Sequence, residues 1–130
     1  MKIQRRLILL ILTLSIPVIN WAESPLEVVN GRMSAHNEHN VEKFLAFYSE
    51  NIQIYDFPDK PLGSSGKDHI RKIFTPLFHA QSVKTTVKSQ MVNGRYVVNR
   101  ETVVREGKTI EYISIYEVEN GLIQSIRFIK

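Results

Sequence analysis

The chain has 130 residues, no cysteine and a formal charge of +4. That length fits one domain. The missing cysteine excludes disulfides, thiolate zinc sites and cysteine nucleophiles, and six Gly with five Pro exclude collagen-like and Pro/Gly-rich disordered chains.

The first residues read as an export signal. Lys2, Arg5 and Arg6 form a positive stretch. Leu7 to Ile19 is an apolar run broken only by Thr13, Ser15 and Pro17, and Ala22 offers a small residue for cleavage. The run is shorter than the roughly 20 residues that a membrane span needs. Residues 1–22 are therefore expected to leave as a signal peptide, with an uncleaved anchor as the alternative. Residues 23–130 are expected to form a single secreted domain, periplasmic in a bacterium. Without Lys2, Arg5 and Arg6, seventeen Lys and Arg against thirteen acids become fourteen against thirteen, a charge of +1. No basic run longer than two follows residue 22. Neither nucleic acid nor, after signal cleavage, a membrane is expected as a partner.

Helical signals come first. Ser24 can cap a helix that carries Pro25 at its first position. Val28, Val29, Arg32, Met33 and His36 follow at helical spacing. Asn37 to His39 is a polar break. Asn40 caps a second short helix whose apolar face is Val41, Phe44, Leu45 and Tyr48. Ile52 to Phe57 alternates like a strand, with Ile52, Ile54 and Asp56 on one side. Pro58 to Gly66 is a loop. Lys67 to Phe74 is a third helix, with Ile70, Ile73, Phe74, Leu77 and Phe78 at the required spacing and Pro76 ending or kinking it.

Hairpin signals follow. Asn93-Gly94, Glu106-Gly107-Lys108 and Asn120-Gly121 separate segments rich in Val, Ile, Thr and Tyr, which predicts an antiparallel meander. Helices grouped before strands predict an α+β fold.

Three stretches carry a resemblance. Phe47-Tyr48-Ser49-Glu50-Asn51 leads into Tyr55-Asp56-Phe57-Pro58. Gly66-Lys67-Asp68-His69-Ile70 opens the third helix. Ile115 to Ile123 forms the closing hairpin. In this order the chain resembles the nuclear transport factor 2-like superfamily, in its SnoaL-like polyketide cyclase and ketosteroid isomerase branch, over about residues 25–130. The resemblance implies a cone: a curved antiparallel sheet wrapped around three N-terminal helices, with an internal pocket and frequent homodimers. Fold does not settle function, because enzymes and binding domains share this one.

Asp56 shares a face with Ile52 and Ile54, so it is expected inward, where lost hydration would raise its pKa and suit it to general-base work. The resemblance places the isomerase base at the same position; a strand-end Asp held by backbone hydrogen bonds is the plainer reading. The family's oxyanion-holding Tyr falls at Arg32 and its protonated acid near Ser114, so a true steroid isomerase is not expected. Arg32 reads as an anion or carbonyl clamp above Asp56, or as its salt-bridge partner. His36 lies one helical turn further on the same face. With His39 it flanks a break that reads as a surface turn, and no third metal ligand is apparent. Matching the closing hairpin puts Tyr112, Ser114 and Tyr116 inside, with Ile126 and Phe128 on the last strand. For residues 96–105 two registers stay open: Arg100 inward with Tyr96 and Val98, or Asn99 and Glu101 inward.

Two functions follow. One is a cofactor-independent isomerase, cyclase or hydratase with Asp56 as base and Arg32, Tyr112, Ser114 or Tyr116 orienting a carbonyl. The other is a non-catalytic or dimerising module that binds a protein partner or a small apolar or carbonyl-containing ligand. The expected site is Asp56 and Arg32, walled by Ile54, Ile126, Phe128, His36, Tyr112, Ser114 and Tyr116, with no metal.

Overall fold

The computed structural model describes residues 23–130, so the export signal expected at residues 1–22 lies outside the described residues. Helix α1 spans Pro25–Asn37, and its first turn is capped as the sequence requires, the Ser24 hydroxyl accepting from the Glu27 N–H at 3.2 Å. It buries Val28, Val29, Arg32, Met33, Ala35 and His36. Helix α2 is short, Val41–Leu45, and is capped by the Asn40 side chain. Tyr48 does not continue its apolar face. It begins strand β1, Tyr48–Asp56, four residues earlier than the alternation from Ile52 suggests. Strand β2 is the pair Lys60–Pro61.

Helix α3 runs Lys67–His79, straight past Pro76. Proline removes one N–H from the helical ladder, but the last turn still closes, with the Ala80 N–H on the Pro76 carbonyl at 3.1 Å. Strands β3 (Val83–Asn93), β4 (Tyr96–Arg105), β5 (Lys108–Glu119) and β6 (Leu122–Ile129) complete the chain. The β4–β5 and β5–β6 turns place Glu106-Gly107 and Asn120-Gly121 at positive φ, as tight hairpin turns demand.

The fold is α+β, with three helices against one curved, unclosed sheet of strand order β2-β1-β6-β5-β4-β3. Every neighbouring pair is antiparallel except β1 and β6, which run parallel. A parallel pair needs a long connection, and here everything from β2 to β5 supplies it. Register shifts at Val87/Ser89, Glu117/Val118 and Tyr48/Gln53 interrupt the ladders. Such bulges bend strands and strengthen their twist.

The open register of β4 is resolved by burial. Val97, Asn99 and Glu101 point inward and are fully buried, while Arg100 points out beside Glu111. Tyr96 is among the exposed apolar residues.

Several side chains tie the helical layer to the sheet, and one of them pairs with strand backbone on both sides. Asn37, at the end of α1, donates to the Thr85 carbonyl at 2.8 Å and accepts from the Thr85 N–H at 2.9 Å. It thus acts as a substitute strand partner for β3. Asn37→Ala leaves both backbone groups unpaired and is expected to cost about 2 kcal/mol in urea unfolding. A loss under about 0.5 kcal/mol would show that the clamp contributes nothing.

Candidate functional site

A cavity of about 390 Å³ lies between α1, α3 and the inner face of the sheet. Leu77 and Phe74 of α3 form one wall; Ile54, Val103, Tyr112 and Phe128 form the opposite one. Its polar groups sit at two ends. On β4 the inward residues Glu101, Val103 and Arg105 succeed one another, and strand geometry puts Glu101 and Arg105 about 13 Å apart. Arg105, Ile110 and Lys130 surround the outer end, where all three are exposed. Arg32, His36 and Thr85 occupy the buried end.

The buried end is organised by two charges. Arg32 is 5% exposed and Glu101 is fully buried. They are joined through Tyr116: Arg32 Nη1 donates to its hydroxyl at 3.2 Å, and that hydroxyl donates to Glu101 Oε1 at 2.7 Å. Arg32 Nε donates to the Tyr48 hydroxyl at 2.7 Å. Glu101 also accepts from Asn99 Nδ2 at 3.0 Å and from the Ser114 hydroxyl at 3.1 Å. Asn99 in turn accepts from Gln90 at 2.9 Å. A buried charge is tolerable only when paired and hydrogen-bonded, and this network meets both conditions. Burial works against the Arg32 charge, but Tyr116, Tyr48 and Glu101 outweigh it and hold its pKa above the ordinary value. Burial pushes the Tyr48, Tyr112 and Tyr116 hydroxyls up, so all three stay protonated at neutral pH.

His36 packs against Phe44, Phe74 and Phe78, with ring centroids 5.3 to 5.8 Å away. Burial first, then the nearby Arg32 charge, lower its pKa to about 4, so the ring is neutral at neutral pH. The break it flanks is not a simple surface turn: His36 is 4% exposed, and His39 Nε2 meets the Val83 carbonyl at 2.6 Å. Among the described residues no three His, Cys, Asp or Glu side chains cluster as metal ligands do.

The residues singled out from the sequence separate into three groups. Arg32, His36, Ile54, Tyr112 and Phe128 line the cavity. Ser114, Tyr116 and Ile126 point inward but are sealed in the core. They do not line the cavity: Ser114 and Tyr116 are tied into the Arg32 and Glu101 network, and Ile126 packs in the hydrophobic core. Asp56 takes a third position. Its side chain is 39% exposed, and its nearest cation is Lys130, 3.9 Å away. It stands in a shallow concavity with Phe57, Lys60 and Phe128. The expected pairing of Arg32 with Asp56 does not form, since β1 carries Asp56 past the end of the cavity to where β2 begins. Glu101 belongs to one of the two registers open in the sequence, while Tyr48, Thr85 and Arg105 are site residues that the sequence does not single out. The alternation Val97, Asn99, Glu101, Val103, Arg105 is no more regular than its rival Tyr96, Val98, Arg100, Thr102, Val104, so burial alone identifies it.

Comparisons with known proteins agree with this architecture. Residues 29–126 match the model of the SnoaL-like domain. No curated protein matches the sequence. A cystatin-fold protein from Novosphingobium aromaticivorans is similar at a TM-score of 0.75 and 19% identity, covering 83% of this chain and 99% of its own. An NTF2-like protein from Cytophaga hutchinsonii aligns at 0.72 and 19%, covering 85% and 93%. A provisionally assigned polyketide cyclase from Pseudomonas putida aligns at 0.64 and 17%, covering 83% and 92%. At these identities the likeness is one of fold.

The His36 environment generates a pH prediction. Unfolded, the ring titrates near 6.5; folded, near 4. Between these values the unfolded chain binds the proton first, so stability falls as pH drops from 6.5 to 4, by on the order of 3 kcal/mol. His36→Gln should flatten that part of the pH profile in urea denaturation. An unchanged slope would show that His36 does not drive it.

Proposed function

The chain belongs to the SnoaL-like domain family, and from that premise we propose that its cavity binds a small apolar molecule bearing an oxygen acceptor, without turning it over. One observation carries this reading: among the described residues, the cavity wall holds Arg32, His36, Arg105 and Lys130 but no carboxylate. A proton-abstracting site needs a base within hydrogen-bond reach of the bound molecule. Asp56 stands at the rim beside Lys130. Glu101 lies behind the wall with its oxygens occupied by Asn99, Ser114 and Tyr116. His36 is held as a weak base by burial. An apolar chamber with a few convergent polar groups is instead the usual form of a ligand site.

The apolar walls would supply affinity through burial. Arg32 would supply orientation. Its bonds to Tyr48 and Tyr116 use Nε and Nη1. Ser49 Oγ is the one enclosed side-chain polar atom without a partner among the described residues. Arg32 Nη2, which has no partner, is therefore not enclosed, and the space that Arg32 borders is the cavity. We place this activity outside the cytoplasm on the strength of the N-terminal signal pattern, and assign the homodimer by family resemblance.

Filling the chamber tests the proposal. Native mass spectrometry of the purified domain should show a copurifying small molecule, or binding of an added apolar ketone. Val103→Phe should reduce that binding at least tenfold while the domain stays folded by circular dichroism. Unchanged binding in the filled variant would place the ligand elsewhere.

A further inference from the structure

Resting on that binding reading, we propose that Glu101 makes the buried end of the cavity selective for a neutral carbonyl, such as an apolar ketone, ester or lactone, over a carboxylate. An arginine in an apolar chamber would ordinarily attract a carboxylate, through two parallel charge-assisted hydrogen bonds. Here the guanidinium already has its counter-charge. Glu101 is one hydroxyl away, connected by the 3.2 Å and 2.7 Å bonds through Tyr116. The buried end thus carries one positive and one negative charge, and neutral His36 adds none at neutral pH.

The consequence for a ligand follows from desolvation. A carboxylate entering an apolar chamber loses its hydration, and only an unpaired cation can offset that loss. Arg32 offers no unpaired charge, and Glu101 behind it repels a second carboxylate. A carbonyl oxygen sheds far less hydration. It needs only a donor, which the uncommitted edge of Arg32 provides. The positive mouth does not change this balance. Arg105 and Lys130 lie at the solvent end, where water screens them and Asp56 stands 3.9 Å from Lys130.

Glu101 thus has a positioning role: it acts on the ligand through Tyr116 and Arg32 and does not touch it. Its removal costs stability, and in the domain that still folds it should change what is bound. Glu101→Gln keeps the shape and removes the charge. Arg32 then becomes a buried cation without a partner, and a ligand carboxylate would restore the pair.

The test uses methyl naphthyl ketone and naphthoate, which share one ring system, titrated by calorimetry at neutral pH. Both are measured in the full domain and in Arg105→Ala/Lys130→Ala, which removes the pull of the mouth. The ketone should bind at least tenfold more tightly than the acid in both. In Glu101→Gln that preference should shrink at least tenfold or reverse. Tyr116→Phe, which cuts the connection without touching either charge, should shift it the same way and serves if Glu101→Gln does not fold. Equal or tighter binding of naphthoate by the unaltered domain would overturn the inference while leaving ligand binding intact. Binding of neither probe would remove the cavity reading and the inference together.

Discussion

Arg32 and Glu101 are buried opposite charges that never touch, and one tyrosine hydroxyl between them governs how the layers of this domain meet. Arg32 comes from α1, Tyr48 from β1, Glu101 from β4 and Tyr116 from β5. A buried ion left unpaired costs roughly 3–5 kcal/mol. Helix α1 can therefore neither slide along the sheet nor rotate on it without exposing that cost. The apolar contacts of Val28, Val29, Phe44 and Ile126 supply the bulk of the cohesion. They would tolerate neighbouring arrangements, since such contacts have little direction. The polar network selects one.

The same network determines what kind of space remains. Filling the inner end of the cone with Arg32, Tyr116, Glu101, Asn99 and Ser114 seals Tyr116 and Ser114 away from the cavity. What stays open lies toward Val83, Ile110 and Phe128, and its walls are apolar. Chemistry is thereby separated by position. The carboxylates stand behind the wall or at the rim, while Arg32 faces inward and Arg105 and Lys130 line the mouth. The proposed binding reading rests on that separation; the fold itself accommodates either a binding chamber or a general-base site.

Much of this was legible in the sequence, for identifiable reasons. Turn chemistry at Asn93-Gly94, Glu106-Gly107 and Asn120-Gly121 is local, so the hairpins could be read directly. Helical spacing from Val28 to His36 placed Arg32 and His36 on the buried face. Strand alternation grouped Tyr112 with Tyr116, and the resemblance of the closing hairpin set that face, with Phe128 of the last strand, inside. Three things were not legible. Tyr48 has the spacing of a helical residue but is taken by β1, because pairing with Ile123 overrides local preference. Asp56 shares alternation with Ile54, yet alternation says nothing about where the covering helices stop. Glu101 depended on a one-residue register, and no local signal distinguishes it from Arg100. Its partners on the neighbouring strand, Ser114 and Tyr116, come to it only once β4 and β5 are aligned.

Arg32 and Glu101 act as one unit across Tyr116. A double-mutant cycle measures this directly, with Arg32→Met, Glu101→Gln and the double variant compared by urea unfolding. The predicted outcome is that each single substitution destabilises strongly and the double costs less than their sum by at least about 1.5 kcal/mol. Additivity within about 0.3 kcal/mol would show that the two charges are independent and would contradict the account.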